Sequence, residues 1–254
     1  MGTIQAIFFD QDGVIIDTER DGHRVSFNET FKEFGFSFEW GVAEYHELLQ
    51  ISGGKERMKH YLQTKGFGKP VPPEQADDLI ARMHKRKTAL FIEMVESGRL
   101  PLRPGIHRFM REAVAAGLKL GVCTTSSEKA AHAIAYQILK DIPFEVVLAG
   151  DVVEKKKPAP DIYKLGLEKT GLSPEDVFVV EDSRNGVLAG KAAGLRVLAT
   201  TNVYTEKEDL SPADVIVSCL GDPDGEKAVL RKGPAEVVSD GLVHVQAMVE
   251  VFSG

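Results

Sequence analysis

The sequence predicts an α/β fold: a doubly wound parallel sheet, interrupted near its start by an all-helical insertion. From Leu100 onward, short and almost continuously apolar segments alternate with helical ones, which is typical of parallel strands covered by helices on both faces. A further strand pattern, TIQAIFF, lies at the start of the chain, and residues 18–98 hold no convincing strand. We therefore predict a core made of 1–17 and 99–254, with 18–98 inserted into it.

The insertion shows four helical segments. A helix pattern begins at Thr18, and Gly35 is a plausible stop signal for it. The glycine pair in ISGGKER breaks the pattern before the third helix, and GFGKPVPP forms a loop before the fourth. The predicted helices cover Thr18–Phe34, the segment GVAEYHELLQ, a segment ending near Lys65, and Glu74–Ser97.

The remainder alternates between the two kinds of element. PGIHRFMREAVAAG predicts a helix with proline near its start and glycine at its end. The strands that follow are LKLGVC, FEVVLAG, DVFVV, LRVLAT and ADVIVS, and the helices between them are SEKAAHAIAYQIL, APDIYKLGLEKTG and SRNGVLAGKAAG. The tail DPDGEKAVLRKGPAEVVSDG has the composition of a loop, and LVHVQAMVEVF predicts a closing helix.

Composition limits the function classes. The 254 residues carry a net charge of -7 and no long basic run, so we expect no nucleic-acid binding. No apolar stretch is long enough to span a membrane, and no targeting segment is visible. Cys123 and Cys219 lie in apolar stretches and predict reduced core thiols. We expect a monomeric cytoplasmic protein, or a plastid stromal one if a transit peptide has been trimmed.

Polar clusters follow four of the predicted strands: DQD, TTSS, KKKPAPD and ED. Ligands of open parallel sheets bind outside the carboxyl ends of the strands. Each cluster has a simpler interpretation when taken alone, such as a solvated charge run for KKKP or an acidic helix start for ED. DQDG is not a calcium loop, because Gly13 stands fourth in the stretch rather than sixth. The four clusters together predict one site.

The residue types in these clusters suit phosphoryl transfer. Asp10 and Asp12 are two apart on an extended segment and face the same side, so that one can attack while the other handles a proton. Glu181 and Asp182 add carboxylates suited to a hard cation such as Mg²⁺. Lys157 supplies a positive charge. Thr124 supplies a hydroxyl to the predicted phosphoryl-transfer site, beside the N–H groups at the start of the next helix.

These motifs resemble the haloacid dehalogenase superfamily over essentially the whole chain, and within it the CbbY-type sugar phosphatases. The likeness is carried by DQDG, by the threonine after LGVC, by KKKPAPDIY and VVEDSRNG, and by DTERDGHRVSFNETFKEFG, GGKERM, LPLRPG and CTTSSEKA. The resemblance implies a Rossmann-like core with a helical cap domain, 18–98. It also implies that the activity is hydrolysis of a phosphorylated sugar, such as xylulose 1,5-bisphosphate.

The resemblance assigns roles to the residues of the motifs. Asp10 is the nucleophile, and Asp12 protonates the leaving alkoxide and then activates water. Mg²⁺ is held by Asp10, the main-chain carbonyl of Asp12, and Asp182, with Glu181 beside it. Thr124 and Lys157 hold the phosphoryl oxygens. A phosphonate-cleaving relative would use a cap lysine, for which Lys55 is the candidate, but that route does not need Asp12.

Further residues are candidates for reading the substrate. Lys55 and Arg57 suggest a second, non-reacting phosphate, although for the loop in isolation a solvated charge pair with Glu56 is the favoured explanation. Ser126 and Ser127 are candidates for completing that second site. Glu19 and His23, near the first predicted hinge, share one helix face and are candidates for binding sugar hydroxyls. Arg103, at the second predicted hinge, is a candidate phosphate contact or hinge ion pair.

Three functions stay open on the sequence alone. A phosphatase transfers the phosphoryl group to water, whereas a β-phosphoglucomutase-like phosphosugar mutase returns it to sugar, and the four motifs serve both. A non-catalytic sugar-phosphate sensor is the third, and a binder gains nothing from a nucleophile with an acid beside it.

Overall fold

We describe the protein from a computed structural model, which defines residues 3–51, 53–150 and 152–254. By its internal contacts the chain divides into two compact units. One consists of the residues up to Asp17 together with Pro101–Gly254, and the other of Thr18–Leu100. The second unit begins where the predicted insertion begins and ends two residues after its predicted end at 98.

The first unit is built on a seven-stranded sheet, which confirms the predicted fold class. Six strands run parallel, and the seventh is an antiparallel edge. The spatial order is β3-β2-β1-β4-β5-β6-β7, so the chain reverses its direction of travel through the sheet beside β1 and β4, where α/β folds place ligands. The strands are β1 (Ala6–Phe9), β2 (Lys119–Cys123), β3 (Phe144–Leu148), β4 (Val177–Glu181), β5 (Arg196–Thr200), β6 (Val215–Val217) and β7 (Leu230–Lys232).

The central strands are apolar because both of their faces are covered. All four residues of β1 and all five of β4 are buried, as expected for a parallel sheet between helical layers. Cys123 and Cys219 are buried free thiols, as predicted. No helix in the described part of the chain is both long enough and apolar enough to span a membrane.

The second unit consists of helices joined by loops, and its described residues form no strand. It opens with a π-helical turn, Thr18–His23, and continues with α1 (Arg24–Glu33), α2 (Val42–Leu48), α3 (Gly54–Thr64) and α4 (Pro73–Glu96). Its core is aromatic: the ring centroid of Trp40 lies 4.8 Å from those of Phe27 and Phe31 and 5.6 Å from that of Tyr61. These contacts explain why the segment is rich in Phe and Tyr and why Trp40, in the loop between α1 and α2, is buried.

The helices of the first unit are α5 (Ile106–Ala115), α6 (Glu128–Ala133), α7 (Asp161–Thr170), α8 (Arg184–Ala192) and α9 (Val245–Ser253). A π-helical turn, Ile134–Ile138, extends α6, and single 3₁₀ turns cover Pro174–Asp176 and Ala235–Val237. Every helix predicted between two strands of the sheet is present.

The tail differs from the prediction of a loop. It contributes β7 and a separate hairpin, β8 (Val238–Ser239) and β9 (Leu242–Val243). The closing helix begins only at Val245, because Leu242 and Val243 pair with the preceding strand. Asp240 and Gly241 both have positive φ, and an Asp-Gly pair in this conformation is a strong hairpin signal. β7, with three residues, and β8 and β9, with two residues each, were missed because they are too short to show a period.

Candidate active site

The acidic motif lies at the end of β1, at the switch point of the sheet. Asp10 is 8% exposed, and its N–H donates to the carbonyl of Val180 on β4 (3.0 Å). The chain then turns at Gly13, whose φ is +82°. A Cβ at this position would overlap the carboxylate of Asp182. Gly13 is therefore required both by the turn and by the close approach of the second acidic motif.

Lys157 joins two of the buried acids. Its Nζ donates to Asp10 Oδ1 (2.6 Å) and to Glu181 Oε1 (2.7 Å). Tyr163, in the first turn of α7, donates its hydroxyl to the same Glu181 oxygen (2.5 Å), and Lys157 Nζ lies 4.9 Å from the centroid of its ring. Glu181 and Tyr163 are fully buried. The lysine is thus fixed between two carboxylates and an aromatic face.

The other side of Glu181 is held by the start of α8. Its Oε2 accepts from the N–H of Asp182 (3.0 Å). Gly186 lies against the carboxyl group so closely that a Cβ there would be 1.9 Å from its atoms. The glycine of VVEDSRNG therefore makes room for Glu181 under the first turn of the helix.

Asp182 is oriented by a residue that follows the next strand. The side-chain amide of Asn202 donates to Asp182 Oδ2 (2.7 Å). Asn202 comes directly after the segment TT at the end of β5. The rule that chemistry lies at strand ends would have found it, had it been applied to LRVLAT as well.

The buried acids disfavour one another's charge. Burial raises the pKa of Asp10 to about 7; the positive charge of Lys157 lowers it in part, and Glu181 and Asp12 raise it. Burial, Glu181 and Asp10 also raise the pKa of Asp182 well above its ordinary value. Burial alone would lower the pKa of Lys157, but the charges of Asp10 and Glu181 outweigh it and raise that pKa. The site holds more negative than positive charge.

This donor set fits a divalent cation. The carboxylates of Asp10, Glu181 and Asp182 each bring an oxygen within 4.8 Å of the others. Hard oxygen donors and uncompensated negative charge are what Mg²⁺ prefers in proteins.

Thr124, Ser126 and Ser127 follow β2. Thr124 is 1% exposed, and its hydroxyl accepts from the N–H of Ser126 (3.1 Å). The hydroxyl of Ser126 hydrogen-bonds to Asp12 Oδ2, so the structure joins the end of β2 to the acidic motif. Ser127 accepts from the N–H of Ala130 and caps α6 (3.4 Å).

Arg103 fastens the turn that follows the acidic motif. It is 9% exposed, and its guanidinium donates to the main-chain carbonyls of Gly13 (2.5 Å) and Thr201 (2.7 Å). The structure therefore gives it a part in holding two strand-end loops together. A contact between Arg103 and phosphate stays a prediction.

The helical unit gathers its own cluster of charged residues. His23 Nδ1 lies 2.8 Å from Lys87 Nζ. Burial lowers the pKa of Lys87 to about 8, with Glu19 acting in the opposite direction and Arg57 in the same one. Burial, Lys87 and Arg57 lower the pKa of His23 to about 3. Glu19, His23 and Arg57, selected from the sequence, are thus close enough to interact with a fourth group, Lys87.

Two further residues of the helical unit, Lys55 and Tyr45, interact with members of this cluster or with a neighbour of it. Lys55 is exposed, and it contributes, after burial and Lys87, to lowering the pKa of His84. The Tyr45 hydroxyl donates to Glu19 Oε2 (2.8 Å) and accepts from Arg57 Nη1 (3.3 Å). The sequence does not single out Tyr45, because a tyrosine on an apolar helix face is explained by packing alone.

The order of the strands and the grouping of the acids at one switch point match a known family. The model of the haloacid dehalogenase-like hydrolases matches residues 4–194. The chain belongs to this family. It is therefore a hydrolase, and the resemblance inferred from DQDG, KKKPAPDIY and VVEDSRNG is confirmed.

Two relatives within the haloacid dehalogenase-like hydrolases show the level of similarity. The CBBY-like protein of Arabidopsis thaliana is 46% identical over 226 residues, which are 87% of this chain and 71% of that protein. Protein CbbY of Cereibacter sphaeroides is 40% identical over 227 residues, 87% of this chain and 95% of that protein.

Solved structures of CbbY from Rhodobacter sphaeroides resemble the chain as well. One, in complex with phosphate, has a TM-score of 0.62 and 41% identity, and covers 84% of this chain and 93% of that chain. Another is a mutant in complex with xylulose-(1,5)bisphosphate, with a TM-score of 0.61, 40% identity and the same coverage.

Proposed function

We propose that this hydrolase is a Mg²⁺-dependent phosphatase of phosphorylated sugars, with a sugar bisphosphate such as xylulose 1,5-bisphosphate as substrate. The observation that carries the proposal is the placement of a buried Asp10 against Lys157, with two more carboxylates beside it and Asp12 two residues further on. The CbbY structure that holds xylulose-(1,5)bisphosphate supports the choice of substrate.

The first half of the reaction uses both aspartates of DQDG. A carboxylate oxygen of Asp10 attacks phosphorus and forms an aspartyl-phosphate, while the bond from phosphorus to the sugar oxygen breaks. Asp12 gives its proton to that oxygen, so the sugar leaves as an alcohol. Lys157 and the hydroxyl of Thr124 bind the phosphoryl oxygens and orient them for attack.

The second half regenerates the enzyme. Asp12, now a carboxylate, takes a proton from water as the water attacks the aspartyl-phosphate, which releases phosphate and frees Asp10. Asp10, Asp182 and the carbonyl of Asp12 are the proposed Mg²⁺ ligands, with Glu181 beside them. Bound Mg²⁺ supplies positive charge that offsets the negative charge developing on the phosphoryl group.

The helical unit, Thr18–Leu100, is proposed as the cap that selects the substrate. Glu19 and His23 bind sugar hydroxyls, and Arg57 with Lys55 binds the phosphate that does not react. Ser126 and Ser127 are proposed to contribute from the core unit. The clustering of Glu19, His23 and Arg57 around Lys87 supports this assignment.

The test is a panel of sugar mono- and bisphosphates with Mg²⁺, followed by ³¹P NMR of the products. We expect free phosphate, and an isomerised sugar phosphate instead would identify a mutase. Asp10→Asn abolishes turnover, because the amide is no nucleophile. The matched control is Asp141→Asn, at a half-exposed carboxylate paired with His107, which keeps wild-type activity. Retention of most activity by Asp10→Asn refutes the mechanism.

A further inference from the structure

We propose that Tyr45 is a positioning residue that couples two parts of substrate recognition, one through Glu19 and the other through Arg57. The inference rests on the proposed function, in which these side chains read the sugar hydroxyls and the second phosphate. Tyr45 touches neither group of the substrate in this proposal and acts only through its two partners.

The hydroxyl of Tyr45 joins three separate elements of the helical unit. Glu19 lies in the opening π-helical turn, Tyr45 in α2 and Arg57 in α3. The hydroxyl donates its hydrogen to Glu19 Oε2 at 2.8 Å and accepts one from Arg57 Nη1 at 3.3 Å. A phenolic oxygen has one donor and can also accept, so it can satisfy an acid and a base at the same time.

The ring of Tyr45 makes this hydroxyl a fixed reference point. Tyr45 is fully buried, and its ring centroid lies 5.9 Å from that of Trp40 and 6.1 Å from that of Phe27. A packed aromatic side chain has only two torsions, both set here by its neighbours. The position of the oxygen therefore follows from the aromatic core of the unit, which does not depend on a ligand.

Arg57 is fixed at two of its nitrogens. Besides Nη1, its Nε donates to the carbonyl of Ile51 (3.0 Å), and its Cζ lies 5.7 Å from the centroid of the Tyr45 ring. These contacts set the plane of the guanidinium while using two of its five N–H groups. A planar group held in this way is prepared for bidentate binding of phosphate.

The consequence is that the two recognition events depend on each other. Removal of the hydroxyl takes one hydrogen-bond partner from both Glu19 and Arg57 at once, although neither charge is changed. Hydrogen bonds to charged groups are strong enough for their loss to weaken binding about tenfold. We expect the loss to appear in KM, since these groups bind substrate and transition state alike.

The experiment measures kcat and KM of Tyr45→Phe with a sugar bisphosphate and Mg²⁺. We expect KM to rise about tenfold, with kcat changed less than threefold. The matched control is Tyr61→Phe, which removes a hydroxyl from another buried tyrosine of the same aromatic core and leaves KM unchanged. A purely structural role for Tyr45 would lower the unfolding midpoint and leave KM where it was.

The coupling is tested by Glu19→Gln and Arg57→Gln, singly and together, with Tyr45 or Phe at position 45. Binding is measured directly in the Asp10→Asn background from the fluorescence of Trp40, the only tryptophan of the sequence. With Tyr45 present, the effects of the two substitutions on Kd deviate at least threefold from multiplicativity; with Phe they multiply.

The outcomes separate this inference from the proposed function. If the wild-type enzyme releases phosphate from a sugar phosphate while Tyr45→Phe leaves KM and Kd unchanged, the inference is wrong and the proposed function stands. Multiplicative effects in both backgrounds also refute it. If the wild-type enzyme acts on no sugar phosphate, the proposed function fails and the inference falls with it.

Discussion

Gly186→Ala tests directly how the buried Glu181 is accommodated. The backbone of Gly186 is helical, within α8, so an alanine can adopt it without strain. A Cβ, however, would lie 1.9 Å from Cδ, Oε1 and Oε2 of Glu181. Since atoms cannot approach this closely, the carboxyl group has to move away from its partners.

The size of the effect follows from what that movement breaks. The bond from Lys157 to Glu181 is charge-assisted and contributes about 1.5–3 kcal/mol. Tyr163 is fully buried, and an unsatisfied hydroxyl there costs about 1–3 kcal/mol. Against this, alanine is about 1 kcal/mol more favourable than glycine inside a helix. We expect Gly186→Ala to lower the free energy of unfolding by about 1.5–5 kcal/mol, a range summed from these contributions.

The assay is urea unfolding, with Gly41→Ala as control because a Cβ there meets nothing within 4 Å. Gly41 is the N-cap of α2, where alanine is less favourable than glycine, so we expect the control to lower the free energy of unfolding by less than about 1 kcal/mol. Gly186→Ala is then repeated in a Glu181→Ala background, where the added methyl has room, and should cost less than about 1 kcal/mol. An equal cost in both backgrounds would show that the clash with Glu181 is not the cause of the destabilisation.

Two further predictions concern the orientation of a proposed metal ligand and the protonation of a half-buried imidazole. Asn202→Ala removes the amide that orients Asp182. We expect the Mg²⁺ concentration for half-maximal activity to rise about tenfold. An unchanged Mg²⁺ titration would contradict a role for Asn202 in orienting the proposed ligand. Burial and Lys87 lower the pKa of His23 from 6.5 to about 3. Between about pH 3 and pH 6.5, therefore, His23 binds a proton in the unfolded chain but not in the folded protein. Stability of the wild type therefore falls as the pH drops through this window. Urea unfolding of His23→Gln gives a flatter pH dependence, while His60→Gln, at an exposed position, keeps the wild-type slope.

The fold was predictable because parallel strands carry a strong signal. Strands buried on both faces need apolar side chains at almost every position, and the central strands β1 and β4 show such runs, AIFF and VFVV. The edge strand β3 is less regular, with Glu145 inside FEVVL, and was recognised from its remaining apolar residues. The tail was not predictable by this route, since Leu230–Lys232 is a three-residue edge strand with two charged residues. Its antiparallel pairing with β6 depends on contacts that are distant in the sequence.

The core site was predictable in outline, since strand ends meet at one edge of a sheet. This reasoning predicted that Asp10, Lys157, Glu181 and Asp182 would come together, and the structure places them together. It could not identify Tyr163, because a tyrosine inside an amphipathic helix is indistinguishable by pattern from an ordinary core residue. Only the three-dimensional contact distinguishes its hydroxyl.

The helical unit shows a different limit. The sequence suggests an α-helix for Glu19 and His23, whereas the chain forms a π-helical turn there, and a local change of this kind leaves no trace in hydrophobic periodicity. Lys87 is 8% exposed on a helix whose buried positions include Met83 and Leu90. A lysine at a core spacing is a signal in itself, because burial of a cation is costly unless it is used.

The excess of negative charge at the site links its stability to its chemistry. Asp10, Glu181 and Asp182 form a cluster of three buried carboxylates, of which Lys157 contacts the first two. Burial and mutual repulsion raise the pKa of Asp10 and Asp182. Without a cation this arrangement costs folding free energy, because the charged forms are favoured in the unfolded chain. A cation that binds only the folded chain recovers that cost by mass action. The repulsion that destabilises the site and the proposed affinity for Mg²⁺ therefore have one origin. A substitution that relieves the repulsion is expected to weaken Mg²⁺ binding as well.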